Sequence, residues 1–193
     1  MAFQKAKNIF FVICLTQILL ALVFFIMIDR PSGFTEIDVT QYSYSSVVLD
    51  NDDNVINVSL SGKDEWCVPV PLNKTGIWTE KFTIALEDKR FYKHNGLDIL
   101  AIVRAAVSNF KAGHTISGAS TITSQLIRIA RPRERTFYNK LLEFWNARKL
   151  ENTLRKAEIL ELYLNRAPFG GNIRGIEAAS NAYFNKSSSY LSL

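Results

Sequence analysis

A run of 20 residues, Ile9 to Ile28, contains no charged side chain, and only Thr16 and Gln17 are polar within it. As an α-helix this run would extend about 30 Å, the thickness of a bilayer's hydrocarbon core. A cleaved signal peptide has a shorter apolar region of about 7–15 residues and then a small-residue cleavage site. The segment Met27-Ile28-Asp29-Arg30-Pro31 offers no such site. The expectation is an uncleaved transmembrane anchor over residues 9–28 behind a short tail, residues 1–8. Lys5 and Lys7 precede it, and Asp29 and Arg30 cancel on the far side. The positive-inside rule then puts the N-terminus in the cytoplasm and the body outside it. Cys14 falls in lipid and Cys67 outside, so the two are not expected to pair.

The remainder reads as a folded body. Hydrophobic residues make up 48% and charged residues 21%, with a mean hydropathy of +0.03. That excludes a disordered chain and a polytopic membrane protein. Two cysteines and two histidines are too few for a disulfide scaffold, a four-cysteine zinc site or a histidine metal cage. A net charge of +5 suits an anionic partner such as a membrane surface, a phosphorylated substrate or nucleic acid. The anchor argues against nucleic acid, because it places the basic residues outside the cytoplasm.

Residues 31–43 lack a period and read as a linker. Ser45 to Leu49 and Val55 to Leu60 alternate around a polar turn, Asp50 to Asn54, and predict a small β-hairpin. Pro69, Pro71, Asn73 and Gly76 mark residues 63–77 as turn-rich. Residues 29–77 are thus expected to be linker and hairpin, and the helical body starts at about residue 78. Apolar spacing through Phe110 predicts a helix capped by Asp98 and stopped at Gly113. Further helices are expected over 118–130, from a Thr136 cap to about Leu154, over 156–164, and from about Asn172 to Phe184.

Some polar residues stand out, each with a plain alternative. Glu87 and Asp88 end a helical segment; adjacent side chains diverge by about 100° on a helix, so one at most faces a cleft. Either could be an ordinary exposed helix-end acid. Gly118 to Gln125 gathers small and hydroxyl side chains at a helix start, which suits an anion or simply an N-cap. Arg128, Arg131, Arg133, Arg135 and Lys140 fall within 13 residues against one acid, Glu134. That patch suits a phosphate, a lipid headgroup or plain solvent. Lys140 and Glu143 share a helix face and could be a surface ion pair. Together these features suit sugar transfer from a lipid diphosphate.

At these residues the chain resembles a known family, the glycosyltransferase family 51 (peptidoglycan glycosyltransferase) domain of class A penicillin-binding proteins. The segment Glu87-Asp88-Lys89-Arg90-Phe91-Tyr92-Lys93-His94-Asn95-Gly96 matches E-D-x-x-F-x-x-H-x-G. Gly118-Ala119-Ser120-Thr121-Ile122-Thr123-Ser124-Gln125 matches G-x-S-T-I-T-x-Q, and Asn139-Lys140-Leu141-Leu142-Glu143 aligns with R-K-x-x-E. Lys156 to Asn165 matches K-x-x-I-L-E-x-Y-L-N, and Arg166 to Asn172 resembles the 1C branch.

The resemblance implies a mainly α, lysozyme-like glycosyltransferase domain with an N-terminal transmembrane helix and a small β element. It implies lipid II polymerisation into β-1,4 glycan strands at the bacterial cytoplasmic membrane, with inversion at the anomeric carbon. By motif match, Glu87, Lys140 and Glu143 are the catalytic residues, Glu87 being the general base. Asp88, Phe91, His94, Gly118, Ser120, Thr123, Gln125, Arg128, Arg135, Arg148 and Asn165 are the substrate-binding residues. No tightly bound cofactor or protein metal site is implied, though magnesium or manganese could accompany the diphosphate. The partners implied are lipid II, the growing glycan strand, the membrane and other cell wall synthesis proteins, and no nucleic acid.

The chain departs from the family in two ways. Asn139 replaces the motif's arginine, for which Arg135 or Arg148 could substitute. The domain of the family runs on for several helices past the matching region, so a C-terminally truncated domain with weak turnover is expected. A truncated membrane protein that only binds lipid II or a cell wall partner stays open. A glycan hydrolase or lytic transglycosylase of similar fold would need an acid near the scissile bond, with a second carboxylate about 6.5–9.5 Å away for inverting hydrolysis, and no diphosphate site.

Overall fold

The structure is a computed structural model and describes residues 2–27, 34–52 and 55–191. The end of the expected anchor at Ile28, the flanking Asp29 and Arg30, and the turn residues Asp53 and Asn54 lie outside the described residues. Helix α1 (Ala2–Met27) covers most of the uncharged run. Among the described residues no helix is long and apolar enough to cross a membrane. Phe11 of α1 stacks on Phe110 of the body, with ring centroids 3.7 Å apart.

The expected linker is partly folded. Thr35 donates its backbone N–H to Asp38 Oδ2 at 2.7 Å, starting the single turn α2 (Ile37–Thr40). That turn buries Phe34 and Val39 in the main core and packs on α5 (Ile122–Ala130). Two apolar side chains with a local cap suffice here, although four residues are too few to show a helical period.

The hairpin forms as expected: β1 (Ser46–Leu49) pairs antiparallel with β2 (Val55–Ser59), Val47 opposite Val58. A second sheet was not foreseen. β3 (Trp66–Cys67) lies in the turn-rich stretch and runs parallel to β5 (Ile173–Arg174), which pairs antiparallel with β4 (Pro168–Gly170). The expected final helix therefore loses its start to a strand, and α8 spans only Ile176–Phe184. Cys14 and Cys67 are both free.

The body is otherwise helical: α3 (Ile77–Glu87), α4 (Ile99–Ala112), α5, α6 (Phe137–Leu150) and α7 (Lys156–Leu164). The capping expectations hold. Asp98 accepts from Ala101 N, Thr136 from Asn139 N, and Gly113 closes α4 in the left-handed region at φ 74°. Two boundaries differ. α5 starts at Ile122 because Thr121, not a residue near Gly118, accepts the capping bond from Ser124 N. α6 stops at Leu150, where further turns replace the helix.

α5 is central and packs against both α6 and α7. It buries Ile122, Leu126 and Ile127 against Phe91, Ala147, Leu150, Ile159, Leu160 and Leu164. Each large apolar side chain removed from water contributes about 1.5–3 kcal/mol. The polar residues of α5 are satisfied rather than excluded. The Thr123 hydroxyl donates to Glu151 and the Ser124 hydroxyl to the carbonyl of Thr121. Glu151 also accepts from Lys156 Nζ at 2.8 Å, and that ammonium lies 4.4 Å from the Phe91 ring centre. One buried carboxylate thereby ties together the starts of α5 and α7 and the end of α6.

Candidate active site

Glu87 is the last residue of α3, where the chain leaves the helix through Asp88 at φ −157°. The break sends the two acids apart. Glu87 is exposed, while Asp88 is buried. Both Asp88 oxygens lie 3.0 Å from His94 Nε2, and Oδ2 accepts the backbone N–H of Ile122 at 3.1 Å. A carboxylate at the first N–H groups of α5 also meets the positive end of that helix. Asp88 therefore fixes where α3 ends relative to where α5 begins. Gly96 completes the join: at φ 76°, its Cα faces the α6 backbone so closely that a Cβ would lie 2.6 Å from Ala147 C. No other residue type fits there. Thr121 adds a hydrogen bond to the Gly96 carbonyl at 2.8 Å.

Glu87 stands between two cavities. One is a groove of about 540 Å³ lined chiefly by apolar side chains, among them Trp78, Phe82, Leu86, Phe169 and Ile176, with Gln125 and Tyr163 beside Glu87. The other, about 410 Å³, is lined by charges of both signs, Lys89, Arg90 and Arg104 with Asp88 and Asp98, and by Ser120 and Thr121. Gln125 Nε2 donates to Glu87 Oε2 at 2.8 Å, and Tyr163 donates its hydroxyl to Gln125 Oε1 at 3.2 Å. Burial, and next the charge of Glu87, push the Tyr163 phenol up to about 12.

A charged cluster adjoins the second cavity. Lys140 Nζ donates to Ser120 Oγ and to Glu143 Oε2, both at 2.9 Å. Arg128 Nη1 lies 4.0 Å from the same Glu143 oxygen. The loop before α5, α5 itself and α6 thus converge on two cations and one acid. Arg131 and Arg133 line a smaller cleft with Asn139 and Glu143.

The remaining motif residues sit deeper. Phe91 is fully buried in the core, and Thr123 spends its hydroxyl on Glu151. The Asn165 amide is used at both ends by the backbone of Val70, at 2.9 Å each. His94 is buried against Asp88. None of these four lines either cavity, and the contacts they make are within the body. Arg135 and Arg148 are exposed and line none of these cavities. Tyr163 fills the aromatic position of the Lys156–Asn165 motif. An aromatic in an apolar helix reads as core, and its hydroxyl contact spans 38 positions. Glu151 carries no local signal at all.

A sequence model of the family described as Transglycosylase matches residues 52–193. The chain is 44% identical over 127 residues to penicillin-binding protein 1C of Escherichia coli (strain K12), covering 66% of this chain and 16% of that protein. It is 38% identical over 146 residues to penicillin-binding protein 1F of Bacillus subtilis (strain 168), covering 75% and 20%. With penicillin-binding protein 1A of Clostridium perfringens (strain 13 / Type A) it shares 33% over 188 residues, covering 93% and 27%. The chain therefore spans 16–27% of the length of these curated relatives. The family match opens inside the stretch expected as linker and hairpin, and it takes in every element that builds the Glu87 cleft, from β2 to α8. The chain belongs to the transglycosylase family, as its ordered motifs resemble the glycosyltransferase domain of the class A penicillin-binding proteins.

Proposed function

We propose that the chain is a peptidoglycan glycosyltransferase that polymerises lipid II into β-1,4 glycan strands. The observation that carries this reading is the position of Glu87, an exposed carboxylate held by an amide between an apolar groove and a polar cavity whose Ser120 wall is joined to the Lys140–Glu143–Arg128 cluster. Glu87 takes the proton of the acceptor sugar's 4-hydroxyl as that oxygen attacks the donor's anomeric carbon. The new carbon–oxygen bond forms on the face opposite the breaking bond, and the lipid diphosphate leaves with the electron pair. Lys140 and Arg128 stabilise the charge on the leaving group, and Ser120 and Glu143 hold Lys140 in place. Glu143, engaged by Lys140, is poorly disposed to activate water, which speaks against a hydrolase. Among the described residues no group of three or more His, Cys, Asp or Glu could hold a metal ion. Magnesium typically binds one or two carboxylates plus substrate phosphates, so Glu143 could hold it only jointly with the diphosphate, whose charge it would neutralise.

The test is to incubate detergent-solubilised protein with lipid II and to resolve the products on a gel. Glycan strands are expected, and Glu87→Gln should lower their formation by about 10²–10⁴-fold, the usual contribution of a positioned base. A loss below about tenfold, or lipid II binding with no strands from the unsubstituted protein, would overturn the reading.

The membrane anchor belongs to the same proposal, supported by the uncharged run and by Lys5 and Lys7. With the N-terminus inside and the body outside, Phe11 lies about 24 Å from Met27 along α1, near the inner face. A spanning α1 must therefore release the Phe11–Phe110 stack. Cysteines placed at both positions should fail to crosslink in native membranes, and efficient crosslinking there would refute the spanning anchor.

A further inference from the structure

Glu87 is exposed at the end of a helix, and its terminal torsion is intrinsically loose. Among the described residues its side chain is held by Gln125, and Gln125 is itself anchored from behind by Tyr163, a residue only 7% exposed. The chain Tyr163–Gln125–Glu87 links α7, α5 and α3 across the floor of the cleft. Its polarity is determined by chemistry. An ionised carboxylate only accepts, so the amide must present its NH2 to Glu87, and Gln125 Oε1 turns to the tyrosine hydroxyl.

We propose that Tyr163 is a positioning residue that reserves one oxygen of Glu87 for the proton; this rests on Glu87 being the base. Oε2 faces only an N–H donor, so it remains an acceptor before and after proton transfer. The incoming proton goes to the other oxygen, which keeps its lone pairs free toward the cavities. Without the phenol, Gln125 can turn over once Glu87 is protonated. The acid then donates to Gln125 Oε1, and the proton is held where neither substrate nor solvent collects it. Tyr163 prevents this by occupying Oε1 with its hydroxyl proton.

The test is Tyr163→Phe, which removes one oxygen and leaves the ring in the core. The expected result is a 3- to 10-fold drop in kcat with KM within twofold and an unchanged thermal midpoint. A merely structural role would lower the midpoint and spread the loss over both constants. The second readout does not need turnover. In 15N-labelled protein the Gln125 side-chain NH2 resonances, assigned by their loss in Gln125→Glu, should move when acid protonates Glu87. In Tyr163→Phe they should start elsewhere and respond differently. Unchanged kcat, or identical amide resonances and acid response in the two proteins, would overturn the proposal. If Glu87→Gln leaves glycan synthesis intact, the base reading fails on its own, and the amide signals still report whether Tyr163 orients Gln125.

Discussion

The two sides of the Glu87 cleft are built from neighbouring elements yet held by different forces. The groove side rests on the core: Leu164, Ala167 and Ile176 belong to or pack against the main apolar cluster, and they back the exposed Trp78, Phe82 and Leu86. The cationic side depends on polar ties. Lys140 and Arg128 remain about a third exposed and are organised by Ser120 and one carboxylate, Glu143. Packing fixes a surface whatever ligand is present. Charges that share one acid are instead poised to exchange partners when an anion arrives. The difference suggests that the groove sets affinity and the cationic side sets rate.

That division can be broken at several points. The largest effect after Glu87→Gln is expected from Lys140→Met, which removes the cation and leaves Glu143 with Arg128 alone. Glycan synthesis should fall by about 10²-fold, the scale of losing one charge-stabilising donor, with KM little changed; a change confined to KM would assign Lys140 to binding. Asp88→Asn should cost on the order of tenfold by shifting Glu87 relative to α5. It should also lower the thermal midpoint, because buried His94 and the Ile122 N–H lose an ionised acceptor worth about 1.5–3 kcal/mol. An unchanged midpoint would contradict its role as the joint between α3 and α5. Phe82→Ala, at a half-exposed groove position, should raise KM a few-fold and leave kcat intact. The smallest effect belongs to Arg148→Gln: with Arg148 outside both cavities, activity should stay within twofold, and a tenfold loss would show that the cationic side reaches further than described.

The capped helices were legible because their signals are local: Asp98 and Gly113 bracket one run of apolar spacing, and Thr136 opens another. The site was legible through Glu87, Ser120, Gln125 and Lys140, whose order along the chain survives as proximity in the fold. What escaped reading has no local signature. β3 and β5 are two residues each, joined across 107 positions from Trp66 to Ile173, and their pairing is a tertiary event. Glu151 is one acid among several until Thr123 and Lys156 arrive from two other helices. The motifs themselves mix roles. Phe91, Thr123 and Asn165 stand in the same motifs as Glu87 and Gln125 yet are engaged within the body, and spacing alone does not separate the two positions.

Cys67 follows from the same long-range pairing. It is fully buried in β3, its thiol donates to the Asn165 carbonyl at 3.1 Å, and burial pushes it up to about 11. A thiol reagent therefore meets neither a thiolate nor an open path in the folded body. Since Cys14 lies within α1, Cys67 is the single thiol of the body, and its alkylation requires the β3–β5 strands to part from the end of α7. The rate of modification by a small maleimide thus measures how often this joint opens, making Cys67 a built-in clock for local unfolding beside the cleft.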